Sequence, residues 1–129
     1  MALLQSVHHT AIICSDYPTS KKFYTEILGL SVISEHFRKE RRSWKLDLSL
    51  NNLYILELFS FPEPPKRVSQ PEACGLRHLA FSVKNIEETI LELKNKGVAT
   101  ESVRIDEFTG KRFTFLADPD GLPLELYEL

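Results

Sequence analysis

The sequence predicts an α+β protein: two βαβββ modules forming an eight-stranded, curved, partly open mixed sheet, a cup with its helices on the outside. Three observations carry this. The chain is written twice, since His9-Thr10-Ala11 is answered 69 residues later by His78-Leu79-Ala80, and Leu56-Glu57-Leu58-Phe59 is answered 68 residues later by Leu124-Glu125-Leu126-Tyr127. Each copy holds one segment of helical periodicity stopped by a glycine, Gly29 and Gly97, again 68 apart. Between these landmarks lie short apolar or alternating runs of strand length. The 129 residues therefore read as one domain with module one at about 1–60, a linker at 61–75 and module two at about 76–129.

Each element follows from local chemistry. The first strand is predicted over 6–14. Asp16 then supplies an N-cap, with Pro18 in the first helical turn. Phe23, Ile27 and Leu30 recur at helical spacing, with Tyr24 and Leu28 alongside. A strand runs from near Leu30 towards Phe37, and the charged segment 38–42 connects it to the next. In that next strand Trp44, Leu46, Leu48 and Leu50 face one way and Lys45, Asp47 and Ser49 the other. Asn51-Asn52 marks a tight hairpin, because asparagine tolerates positive φ. The fourth strand spans 53–60, with Ile55, Glu57 and Phe59 on one face and Tyr54, Leu56 and Leu58 on the other.

Four prolines (62, 64, 65 and 71) mark the linker. Module two repeats the order: a strand over 76–84, an Asn85 cap, a helix over about 86–96 with Ile86, Ile90 and Leu93 as its buried stripe, then strands near 98–106, 111–117 and 122–128. Asp118-Pro119-Asp120-Gly121 is the turn before the last strand.

Composition narrows the function classes. A net charge of −2 provides no field for nucleic acid or an anionic membrane. No apolar run reaches membrane-spanning length, and the N-terminus lacks signal-peptide features, so a cytoplasmic location is expected. Cys14 and Cys74 form no CxxC pair, and reduced thiols are expected.

The chemistry lies in four residues. Glu57 and Glu125 each interrupt an apolar strand that reads as buried on both sides, a costly place for a carboxylate unless it is paired or bound to a cation. His9 and His78 each share a strand face with a small residue, Ala11 or Ala80, which leaves room beside the imidazole. A single strand histidine or glutamate is usually an ordinary core or surface residue. The recurrence of both types at the same place in both copies is what singles these out. His8 has no such partner, because Arg77 stands at its place in copy two, and His36 reads as a solvated strand-end residue. Two imidazoles and two carboxylates without a thiolate suit one divalent ion, Zn, Ni, Co, Mn or Fe(II), with positions left open for substrate.

This pattern resembles the vicinal-oxygen-chelate superfamily, which includes glyoxalase I, bleomycin-resistance proteins, fosfomycin-resistance enzymes and extradiol dioxygenases. The carrying pieces are His9 with Asp16, Phe23-Tyr24 with Leu28-Gly29-Leu30, residues 55–58, residues 78–85, and Asp118-Pro119-Asp120-Gly121 leading to Leu124-Glu125-Leu126. The resemblance implies that His9, Glu57, His78 and Glu125 are the metal ligands of a glyoxalase-like lyase or isomerase. It further implies Glu125 as the catalytic base, Glu57 as the more permanent ligand, a small-molecule substrate and a homodimer. Ile13 stands where glutathione-using members carry an arginine, which argues against glutathione. The alternatives are a metal-free drug- or metabolite-binding module of the bleomycin-resistance kind, a small extradiol-type dioxygenase using His9, His78 and Glu125, and a fosfomycin-type thiol transferase.

Overall fold

A computed structural model describes residues 1–129. The chain divides into two compact units, Met1–Pro65 and Lys66–Leu129. Each is a βαβββ module built on a four-stranded mixed sheet, so the predicted α+β class and module pattern hold.

In the first module β1 (Thr10–Cys14), α1 (Tyr17–Lys22), β2 (Ser31–Arg38), β3 (Ser43–Leu50) and β4 (Leu53–Ser60) are arranged with strand order β1-β4-β3-β2. The β1–β4 pair is parallel and the other two pairs are antiparallel. The Asp16 side chain caps α1 by accepting from the Thr19 N–H at 3.1 Å. The helix passes into a π-helical turn, Phe23–Ile27, which buries Phe23 and Tyr24. Gly29 then ends the segment at φ +82, a conformation a side chain resists. Leu46, Leu48, Leu56 and Leu58 are fully buried on one face of the sheet. Each contributes about 1.5–3 kcal/mol through removal from water.

The second module contains β5 (Leu79–Val83), α2 (Ile86–Asn95), β6 (Arg104–Ile105), β7 (Arg112–Ala117) and β8 (Pro123–Glu128), ordered β5-β8-β7-β6. Again the first and last strands pair in parallel. Asn85 caps α2 through the Glu88 N–H at 3.1 Å. The predicted turn forms as Asp118 Oδ1 accepts the Asp120 and Leu122 N–H groups, each at 2.9 Å. Ile86, Leu93, Leu116, Leu124 and Leu126 form the core of this unit.

Three expectations need correction. The first strand of each module is shorter than predicted, and both histidines lie just before it. In module one the parallel ladder begins with Thr10 opposite Leu56, immediately after an irregularity in β4. In module two it begins with Leu79 opposite Leu124, next to Pro123, which has no N–H to extend it. Second, β6 covers two residues of the predicted 98–106. Upstream, Thr114 Oγ1 donates to the Glu101 carbonyl at 2.8 Å, so a side chain takes the place of a ladder N–H. Third, Tyr54 is on the same face as Glu57. Leu48 pairs with Leu56 but Ser49 pairs with Tyr54, so Ile55 is an extra residue that breaks the alternation.

Candidate functional site

Within each module the last strand's glutamate and the histidine preceding the first strand face each other. Register explains this. Ala11 pairs with Glu57 and Ala80 pairs with Glu125, and each histidine lies two residues before that alanine. His9 Nε2 lies 3.8 Å from Glu57 Oε1, and His78 Nε2 lies 3.9 Å from Glu125 Oε2. The duplicated sequence therefore folds into duplicated geometry. Neither glutamate is buried on both sides as its strand suggested. Each points away from its leucine neighbours, with its side chain 13% (Glu57) or 17% (Glu125) exposed.

The surroundings of the two pairs differ. In module one Asp47 is directly opposite Glu57 across β3 and β4. Lys45 Nζ reaches both Asp47 oxygens at 2.9 Å and Glu57 Oε2 at 3.3 Å. The Tyr54 hydroxyl lies 2.9 Å from Asp47 Oδ1 and 3.0 Å from Glu57 Oε2, and it donates its single proton within this carboxylate pair. Its ring stacks on the His9 imidazole at 5.1 Å and 17°. A second irregularity, between Val32 and Ser34, brings Ser34 opposite Asp47, where its hydroxyl donates at 2.9 Å.

Burial by itself raises the Asp47 carboxyl, but hydrogen bonds from Lys45, Ser34 and Tyr54 outweigh it and hold the group below its ordinary range. The same Asp47 contact holds the Lys45 ammonium above its usual range. Burial and then the two carboxylates push the Tyr54 phenol strongly upward, so it stays a neutral donor.

In module two Phe115 is opposite Glu125, and its ring meets His78 edge-on at 5.2 Å. Phe113 and Tyr127 stack beside it, and the Arg104 guanidinium lies over Phe113 and Phe115 at 5.1 and 5.4 Å. A cleft of about 420 Å³ opens along this surface, lined by Ala99, Glu101, Phe115 and Pro123 among others. Arg67 donates to the Leu76 and Arg77 carbonyls at 2.7 and 3.0 Å, which secures the segment leading into His78.

The sequence reading missed Tyr54, Asp47 and His8. Tyr54 was hidden by the bulge, and Asp47 by the absence of a counterpart in copy two. His8 is exposed, but its Nδ1 lies 2.8 Å from His9 Nδ1 and its ring packs edge-on against His9 and Tyr54. That contact occupies the inner nitrogen of His9 and leaves Nε2 facing Glu57. His36, exposed as expected, lies within β2 opposite Lys45 rather than at a strand end.

Each pair fits a divalent ion. Two donors each about 2.0–2.2 Å from one ion are at most about 4 Å apart, and both observed spans satisfy that limit. No group of three or more His, Cys, Asp or Glu side chains suited to a metal forms; the donors occur as two separate pairs.

Two βαβββ modules, each with a histidine before its first strand and a glutamate in its last, define the vicinal-oxygen-chelate architecture. The chain belongs to the Glyoxalase/Bleomycin resistance protein/Dioxygenase superfamily, whose family model matches residues 6–126. It is 62% identical to the uncharacterized protein YwkD of Bacillus subtilis (strain 168), over 98% of both chains. A glyoxalase family protein from Enterococcus faecalis, of known crystal structure, superposes with a TM-score of 0.92 at 50% identity, covering 98% of this chain and 100% of that one. More distant relatives include the glutathione transferase FosA of Serratia marcescens, 32% identical over 97% of this chain and 82% of that protein. A 2-epi-5-epi-valiolone epimerase from Actinomyces sp is 28% identical over 96% and 79%.

Proposed function

We propose that this protein is a metal-dependent lyase or isomerase that removes a proton α to a carbonyl of a small substrate. The observation that carries the reading is the repeated His–Glu pair at 3.8 and 3.9 Å. In this reading His9, Glu57, His78 and Glu125 are the ligands of one divalent ion per site, drawn from Zn, Ni, Co, Mn or Fe(II). When bound, the ion supplies Lewis-acid stabilisation of the negative charge that develops on the substrate's carbonyl oxygen.

The chain's own residues supply the rest. Glu125 takes the proton; its only charged or hydrogen-bonding partner in its module is His78, and Phe115 stands opposite it. Glu57, held by Tyr54 and Lys45, stays in place as a ligand. The largely apolar cleft of module two, which Phe115 lines, accepts the substrate's apolar part, and Phe115, opposite Glu125, limits water on that side of the carboxylate. The epimerase among the relatives supports isomerase-type chemistry, and Ile13 in place of an arginine argues against glutathione as the thiol carrier.

A second reading is a metal-free module that binds a drug or metabolite, supported by the same cleft and aromatic surface. Metal analysis of protein purified without chelator separates the two. The proposal expects about one ion per chain. Less than about 0.2 ion per chain, not restored by Ni, Co, Mn or Zn, would favour the binding module. The reconstituted protein is then assayed on hemithioacetals, acyl-CoA epimers, catechols and fosfomycin, which also tests the dioxygenase and transferase alternatives.

A further inference from the structure

We infer that Tyr54 and Asp47, with Lys45, are positioning residues that lock Glu57 through its Oε2 so that only Oε1 is presented to an ion beside His9. The inference rests on the metal-centre reading above and extends it to residues outside the His–Glu set.

The division of labour between the two oxygens of Glu57 is direct. Oε1 faces His9 Nε2 at 3.8 Å, while Oε2 meets the Tyr54 hydroxyl at 3.0 Å and Lys45 Nζ at 3.3 Å. A carboxylate held through one oxygen loses rotational freedom before any ion arrives, and less entropy is then lost on binding. Tyr54 also stacks on the His9 ring, so one side chain contacts both members of the pair.

The backbone is shaped to build this arrangement. Two irregularities, at Ile33 and Ile55, flank Leu48 on its two neighbouring strands. One places the Ser34 hydroxyl on Asp47, and the other brings the Tyr54 hydroxyl within reach of Asp47 and Glu57. Bulges of this kind re-aim side chains next to sites. A strand pair stabilised only for folding has no use for Asp47, 8% exposed, directly opposite a second carboxylate, because like charges so placed repel.

Module two lacks the device. Phe115 is opposite Glu125 where Asp47 is opposite Glu57, and Phe113 pairs with Tyr127 where Lys45 pairs with Phe59. Two copies of one unit thus carry one restrained carboxylate and one unrestrained carboxylate.

The test is the Co(II) affinity of the full chain, measured by chelator competition, together with the visible absorption of the Co(II) protein. Tyr54→Phe keeps the stacked ring and removes only the hydroxyl. Asp47→Asn gives a second, independent disruption should the first variant fail to fold. Tyr127→Phe is the control, because that hydroxyl bonds Asp106 at 3.0 Å and does not contact Glu125. The expected result is Co(II) binding about 10–100-fold weaker in the Tyr54 and Asp47 variants, the range typical of groups that orient a metal ligand. Their Co(II) bands also shift, whereas the Tyr127 variant stays within about twofold of wild type. Wild-type affinity and an unchanged spectrum in both variants would overturn the positioning role while leaving the metal centre intact. A wild-type chain that takes up no Co(II) would overturn the metal centre itself, and the positioning role with it.

Discussion

Asp47 and Glu57 lie directly opposite each other on neighbouring strands, and one lysine ammonium and one tyrosine hydroxyl bridge them. Opposed like charges destabilise a strand pair unless something intervenes. Here Lys45 neutralises one charge and Tyr54 ties the carboxylates together. The result is a bridged carboxylate pair beside His9, in a module whose core is rich in leucine.

The two glutamates should respond differently to the same change. Glu57→Gln is expected to weaken metal binding at least tenfold, because the amide gives up the charge that Lys45 and Tyr54 hold in place. Glu125→Gln is expected to retain the ion with a smaller loss but to lower turnover at least 100-fold on whichever substrate the screen returns. Parallel metal titrations and kcat measurements check this. Full turnover in Glu125→Gln would remove that residue as the base.

The leucine face should tolerate no cavity. Leu58 and Leu124 are both fully buried, one in each module. Leu58→Ala or Leu124→Ala is expected to cost about 2–5 kcal/mol, the range for large-to-small core changes. Urea unfolding monitored by circular dichroism measures it.

The helix caps should matter modestly and equally. Asp16→Ala and Asn85→Ala each remove a single side-chain acceptor from the first turn. Each is expected to lower stability by about 1 kcal/mol, whereas Asp16→Asn and Asn85→Asp, which keep an acceptor, should cost far less. Thermal melts of the four variants suffice.

Glu128 predicts a pH dependence. Arg112 donates to both of its oxygens at 2.8–2.9 Å, and the Ile86 N–H donates at 2.8 Å. The arginine first, and then the backbone donor, hold its carboxyl below the usual range. A depressed folded-state value means that the stabilisation is present above the unfolded glutamate value, about 4.3, and is lost as pH falls through the folded value. The melting temperature of wild type should therefore exceed that of Glu128→Gln at pH 7, and the gap should close on acidification below pH 4. A constant gap from pH 7 to pH 3 would contradict the assignment.

Much of this protein was determined by its sequence alone. The duplication, the Asp16 and Asn85 caps, the Gly29 and Gly97 stops, the Asp118 turn and the alternation along β3 are local, and local chemistry sets them within a few residues. The four candidate residues were legible as well, because each type recurs at the same place in both copies. That His9 meets Glu57 and His78 meets Glu125 followed only from the register of the parallel strand pairs. Only the tertiary structure decided where the ladders stop, at Pro123 in one module and beside the β4 bulge in the other. It also decided that Tyr54 would join Glu57, that Asp47 would stand opposite it, and that Phe115 would take the matching place in module two. A bulge changes which face every residue beyond it occupies, and its position depends on the fit between two strands rather than on either one.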